Sequence, residues 1–441
     1  MKIALPLIAL LLLTACPNHQ GQANSIQSDN IQPKQEKTTP LIEVTPQDNQ
    51  EIHQKPMESK ETIADEIFNN GFTIDDYPIS VREISLDEFN KLNKNNNNWG
   101  VSYMPITELK NAIAELEDVV DFNEDGTIKQ INFKNGGQIN NPEGKFVAYY
   151  FDEKILVLEG GHLIDIAYHL DTGRHTEKVG NPDHTSIPSP KKQYRLTGYF
   201  GGQECSHYFI QKHINGEWVK TIEFNPIIDK LLPRTDSQPY GFCDYTGSMF
   251  ISENKAYGIK ISKDDNGQEL YTIHEITLKD EKAFKTLDLT TIPQKSLPLE
   301  VAIDFDNYEK LIQLNKQQAK FFAGLYPTAK EMVVLGKVSY QPDMTSLIMT
   351  FTNTKNEHEL ETHLINIDKH GNMIDTLEIA YDEIAESWSK TTALLDKEQI
   401  KVTNFHDGEP IQENSYKIDD KGYFYLVDSK DFTNQENSDS N

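Results

Sequence analysis

The sequence predicts a mainly β protein with a few short helices, its strands arranged as antiparallel meanders in two β-rich lobes. Three observations carry that prediction. From residue 145 onward, short runs rich in β-branched and aromatic residues follow one another, among them "KFVAYYF", "KILVL", "YRLTGYF", "EWVKTIEF", "LYTIHEITL", "SLIMTF", "HLINI", "MIDTLEI", "IKVTNF" and "YFYLV". Runs of that composition read as strands. Between them, Asp or Asn stands shortly ahead of Gly173, Gly216, Gly267, Gly371 and Gly422, and a Gly that can take positive φ suits a hairpin. These glycines recur about every 40 to 50 residues, or twice that, which is the repeat length of a propeller blade. A propeller-like architecture therefore fits the spacing. A sandwich or an open barrel fits it too, because no WD, kelch or other blade signature is present.

Taken in order, the chain starts with Lys2 and an apolar run over 3–13. That run is too short to span a bilayer, which takes about 20 apolar residues. Small residues and then Cys16 follow, the layout of a signal peptide over 1–15. Leu13-Thr14-Ala15-Cys16 resembles the lipobox of bacterial lipoproteins at every position. The resemblance implies that the Cys16 thiol carries a diacylglyceryl group, that cleavage falls before Cys16, and that the new terminus is acylated. In that family an Asp after the cysteine favours the inner membrane. Pro17 stands here, so the resemblance points to the outer membrane of a Gram-negative bacterium. One acyl chain holds a membrane marginally, whereas two or three anchor it stably.

Residues 16–62 read as the lipidated N-terminus and a disordered tether. The stretch 17–61 contains no Phe, Trp or Tyr, and a segment so polar cannot bury enough apolar surface to order itself. As a flexible coil it reaches roughly 35–40 Å. A β-rich domain with N-terminal helices is expected over 63–295. "SLDEFNKL" from Ser85 carries a capping-box pattern in Ser85 and Glu88. "ITELKNAIAELEDVV" sets Ile106, Leu109, Ile113, Leu116 and Val120 at helical spacing. A second, antiparallel β domain is expected over 296–430, preceded by the helical stretch "DNYEKLIQLNKQQAKFFAGLYPT". Residues 431–441 read as a disordered tail.

Lys and Arg number 42 against 69 Asp and Glu, a formal net charge of −27. Nucleic acid is excluded as a partner, because affinity there comes largely from Lys and Arg against phosphate. Contact with a membrane is expected through the acyl chains alone. Cys205 and Cys243 remain once Cys16 is lipidated. In an exported chain they suggest a disulfide, closing a loop of roughly 40 residues worth ~4 kcal/mol in the chain-entropy model. Two buried free thiols are the alternative.

"DFNEDGTIKQIN" places Asp121, Asn123, Asp125 and Gly126 at EF-hand loop positions, where hard oxygen ligands surround a sharp turn. The last loop position holds Asn132 instead of a bidentate carboxylate, and a strand pattern follows. An Asx-type hairpin turn competes with this reading, and any Ca²⁺ bound here is weak and structural. No other cofactor is expected. "HELETH" misses the zincin motif, since His358 and His363 are five apart and lie among strands. His162, His169, His175, His207 and His213 show no ligand spacing. The Gly pairs at 160–161 and 201–202 read as bulges or tight bends, without the strand–loop–helix setting of a phosphate cradle. No G-x-S-x-G elbow is present. With no catalytic residue assigned, the leading reading is a lipid-anchored, non-enzymatic binding or interaction module with an unknown envelope or protein partner. The alternatives are an envelope hydrolase acting on glycan or ester substrates, and a periplasmic immunity protein that blocks a toxin.

Overall fold

Turn residues set the path of the chain. All five glycines picked out above have positive φ. The tightest case is Asn215 (φ 51°) with Gly216 (φ 88°), a left-handed pair whose twist matches that of the strands it joins. The computed structural model describes residues 67–94, 104–184, 188–202, 206–232, 245–280, 287–354, 356–385 and 388–432. Cys16 with its lipobox, the expected tether, Cys205, Cys243 and most of the expected tail lie outside them. No helix among the described residues is long and apolar enough to cross a membrane.

The first half of the molecule is a series of small antiparallel meanders. β1 (Ile79–Ile84) leads into α1 (Leu86–Asn93), and α2 (Leu109–Leu116) precedes β2 (Val120–Phe122), β3 (Ile128–Asn132) and β4 (Gln138–Asn140). A second three-stranded sheet holds β5 (Lys145–Tyr150), β6 (Ile155–Glu159) and β7 (Asp165–His169). The short helix α3 (Thr176–Val179) comes next. A third sheet follows, with β8 (Tyr194–Tyr199), β9 (His207–Ile214) and β10 (Glu217–Glu223), then α4 (Phe224–Leu231). The fourth comprises β11 (Gly247–Ser252), β12 (Lys255–Lys263) and β13 (Glu269–Leu278), and β1 joins it as an edge strand with Ile79 opposite Leu278.

The second half is one continuous sheet of ten strands. β14 (Leu299–Val301), β15 (Ile312–Gln313) and α5 (Lys316–Lys320) introduce it. β16 (Ala329–Val338), β17 (Met344–Asn353), β18 (Glu359–Asp368) and β19 (Met373–Glu383) follow. β20 (Ser389–Leu395), β21 (Ile400–His406), β22 (Glu409–Ile418) and β23 (Phe424–Asp431) complete it. Neighbours in sequence are neighbours in the sheet from β15 to β23. β19 pairs with β20 over Tyr381 and Asp382 only, and β14 occupies the edge of β20 beyond, with Leu299 opposite Leu395. The described strands thus form open antiparallel sheets, and none closes into a barrel. The first half is divided into sheets of three and four strands; the second is a single sheet.

The helices are shorter than their sequence patterns. The Ser85 side chain accepts from the Glu88 backbone N–H at 3.1 Å, but the Glu88 carboxylate turns to Arg82 at 2.7 Å, so only half of the expected capping box forms. α2 ends at Leu116 and buries Ala112 and Leu116. Ile113 is left exposed, Ile106 bridges to Tyr149, and Val120 opens β2. Strand pairing overrides helical periodicity at both ends of that segment. The stretch before β16 is likewise broken up. Its one α-helix, α5, is held by a complete capping box between Asn315 and Gln318.

Residues 62–441 form one compact unit. Its largest core cluster draws on both halves, with Tyr77, Phe224 and Phe250 packed in the same cluster as Phe322, Met332 and Leu347. Truncating a fully buried side chain of this kind costs about 3–5 kcal/mol for Phe→Ala.

Candidate functional site

Polar side chains converge where α3 and the β8–β10 sheet meet β18 and β19. α3 is the joint. Its Lys178 ammonium donates to the Thr376 carbonyl at 2.7 Å and pairs with Asp375 at 2.9 Å on β19. The Lys178 carbonyl accepts from Gln211 of β9 at 2.7 Å. Asp375 is itself buried and also accepts from the Phe424 N–H at 3.0 Å, so this charge pair is well bonded.

On β18, Glu361 and His363 are two residues apart, which puts their side chains on one face of the strand. Across the ladder, the register shifts between Thr362 and His363, so that His363 stands opposite Glu378. Such a bulge re-aims the side chains beyond it. Here it leaves Ile379 in the core and brings the Glu378 carboxylate to the imidazole. His363 Nε2 lies 3.5 Å from Glu361 Oε2 and 4.0 Å from Glu378 Oε2. Among the described residues this is the only group of three His, Cys, Asp or Glu whose donor atoms lie within 4.8 Å of one another.

The imidazole is fixed from behind. Tyr326 OH and His363 Nδ1 share a hydrogen bond of 2.8 Å, and the rings of Tyr326 and Phe351 stand 5.3 and 5.2 Å from the His363 ring. Burial holds the Tyr326 phenol well above its usual range, so it stays a neutral partner. His363 Nε2 has no hydrogen bond and no contact with solvent. A buried polar atom without a partner is uncommon and calls for an explanation.

The surrounding groups show what sort of space this is. His175, Glu177 and Glu378 all keep accessible surface, yet burial is the largest influence on the titration of each. Glu177 and Glu378 lie within electrostatic reach of His363 and of each other. Burial pushes the Glu378 carboxyl up and the His175 imidazole down. Burial also works against the charge of Glu177, but His175, Lys220, Lys178 and His363 together draw its carboxyl below the usual range. Lys220 is held above its usual value despite burial, by Glu223 at 2.9 Å and by Glu177. Three carboxylates, Glu177, Glu361 and Glu378, thus stand near His363.

One imidazole nitrogen and two carboxylate oxygens are the donors that Zn²⁺, Mn²⁺ and similar divalent ions take, and three protein ligands leave a position open. The Nδ1 hydrogen bond supplies the outer support that fixes a metal-binding imidazole. The arrangement can hold a divalent ion and present it to a small ligand.

The residues singled out from sequence go elsewhere. Asp121 is paired with Lys129 at 2.9 Å. Asp125 accepts from the Thr127 hydroxyl at 2.6 Å and its N–H at 3.1 Å, and Asn123 donates to the Thr127 hydroxyl. With Gly126 at φ 84°, this is the Asx-type turn between β2 and β3. His207 stacks on Tyr199 and His213 packs against Trp218, whereas His175 forms a backbone bridge with Tyr168. "HELETH" runs from a turn at His358 into β18 from Glu359. The signal missed in it was Glu361-x-His363, a same-face pair on a strand, and its partner Glu378 is reached only through the bulged register.

The chain matches no protein-family model and no curated protein.

Proposed function

We propose that this chain is a lipid-anchored cell-envelope protein of the outer membrane, and that it is a binding module that holds a divalent cation at Glu361, His363 and Glu378. The anchor rests on the lipobox resemblance at Leu13-Thr14-Ala15-Cys16. The binding role rests on one observation above the rest: His363 Nε2, buried and without a hydrogen bond, faces two carboxylates. Without a cation, burial and then the charge of Glu361 hold the Glu378 carboxyl up, against the pull of His363. A bound cation relieves both. A ligand then takes the open coordination position.

Two experiments test the two parts. Globomycin treatment, or Cys16→Ser, abolishes membrane association if the anchor is right; unchanged association overturns it. Titration of chelator-treated protein with Zn²⁺ and Mn²⁺ gives one equivalent bound if the triad is a metal site. No binding overturns that reading.

A second reading, an envelope hydrolase acting on glycan or ester, is favoured by the same triad. A three-ligand cation with an open position lowers the pKa of bound water toward neutrality, and Glu177, within electrostatic reach of His363, supplies a carboxylate base. Turnover of ester or glycan substrates by the metal-loaded protein, lost in Glu361→Gln, selects this reading. Stoichiometric capture of a ligand without turnover selects the binding module.

A further inference from the structure

A cavity of about 230 Å³ is lined in part by Lys154, His169, Arg174, Arg195, Glu217 and Trp218. Two arginines stand in its wall, 4% and 3% exposed, and their situations differ. Arg195 is fully provided for. Its Nε donates to Gln211 at 2.7 Å, its Nη1 to Glu153 at 2.9 Å, and its guanidinium lies 4.6 Å over the Trp218 ring. Arg174 has no carboxylate partner among the described residues. Its Nη1 donates to the Trp218 carbonyl at 3.0 Å and its plane rests 4.9 Å from the Tyr423 ring centre. Its Nε is buried and without an acceptor.

A guanidinium does not shed its charge in a protein, and a buried charge is ordinarily paired. The remaining acidic groups of the wall do not supply the pair. Glu153 is matched by Arg195, Glu217 is 3.4 Å from Lys421, and Asp152 is exposed. His169 is pushed down by burial and adds no charge. Lys154, whose ammonium sits 3.8 Å over the Phe151 ring, is a second cation with no carboxylate bonded to it among the described residues.

We propose that this cavity binds the oxyanion of a small ligand, a carboxylate or a phosphate, with Arg174 as its anchor. Arg174 lines the cavity with a guanidinium that only the Trp218 carbonyl accepts from among the described residues, guanidinium groups donate to both oxyanions, and Trp218 stands in the same wall. None of these residues belongs to the Glu361, His363 and Glu378 triad, and the site does not depend on it.

The test titrates the full chain, in the presence of chelator, with succinate and with inorganic phosphate, following tryptophan fluorescence and calorimetry. The expected result is saturable binding of at least one probe, weakened about 10- to 100-fold by Arg174→Met, as loss of a charged hydrogen-bond donor requires. Succinate alone identifies a carboxylate ligand and phosphate alone a phosphorylated one. Binding of neither, or equal binding by Arg174→Met, overturns the site. If that variant does not fold, crystals of the unaltered protein soaked in selenate decide: anomalous density against Arg174 supports the proposal, and its absence there contradicts it.

Discussion

The turn at 121–127 and the strand pair carrying Glu361, His363 and Glu378 both gather acidic groups, and they use them in opposite ways. In the turn, every acidic oxygen with a close partner has found it locally: Lys129 for Asp121 and Thr127 for Asp125. Those bonds hold Asp125 below the usual carboxyl range, the Thr127 hydroxyl contributing most. In the strand pair, the partners are distant in sequence and incomplete. Burial raises Glu378, and the nitrogen between the two carboxylates is left over. A motif that is compact in sequence tends to satisfy itself, while one assembled by register can leave donors aimed at a common point.

That contrast is open to attack at several places. The largest effect is expected from His363→Ala, which removes the single nitrogen ligand. Divalent-ion affinity should fall at least about 100-fold, roughly 3 kcal/mol, whereas Asp121→Asn and Asp125→Asn should leave it unchanged. Isothermal titration of the three variants makes the comparison directly. Next comes Tyr326→Phe, which removes the support of Nδ1 without touching a ligand. Loss of such an outer partner costs about 10- to 100-fold in affinity, with the cation-free melting temperature little altered.

pH separates the two regions by sign. Asp125 has a lowered folded-state pKa, so its contribution is present above the unfolded value and disappears as pH falls through the folded one. Glu378 has a raised pKa, so its contribution is present below the ordinary carboxyl value and disappears as pH rises through the raised one. In chelator at neutral pH, Glu378→Gln should therefore stabilise the protein. The gain should stay under about 1 kcal/mol, because 47% of that side chain meets water. Asp125→Asn should lower the melting temperature slightly at neutral pH and have no effect once the carboxyl is protonated. Urea denaturation at pH 7 and pH 3 tests both signs.

Much of the fold was legible because strands and tight turns leave local marks. "EWVKTIEF" after Asn215-Gly216 became β10, and "KILVL" became β6, nearly all buried. The helices were overdrawn, since the spacing of Ile106, Ile113 and Val120 also suits residues claimed by a bridge, by solvent and by β2. The site was legible only in part. His363 opens a run read correctly as strand, whereas Glu361 stands in a stretch expected to lie between strands; both fall in β18, where their shared face follows from a period of two. Glu378 could not be placed, because a one-residue bulge decides whether it or Ile379 faces the imidazole. Arg174 was equally silent, its surroundings being set by Trp218 and Tyr423 from other sheets.

The central claim is that Glu361, His363 and Glu378 form a cation site. The most direct measurement is diffraction from crystals grown with Zn²⁺ or Mn²⁺, with data collected at the metal's absorption edge. The account predicts a single strong anomalous peak about 2 Å from His363 Nε2 and from a carboxylate oxygen of each glutamate. The lack of such a peak, with His363 Nε2 hydrogen-bonded to a glutamate instead, would contradict it.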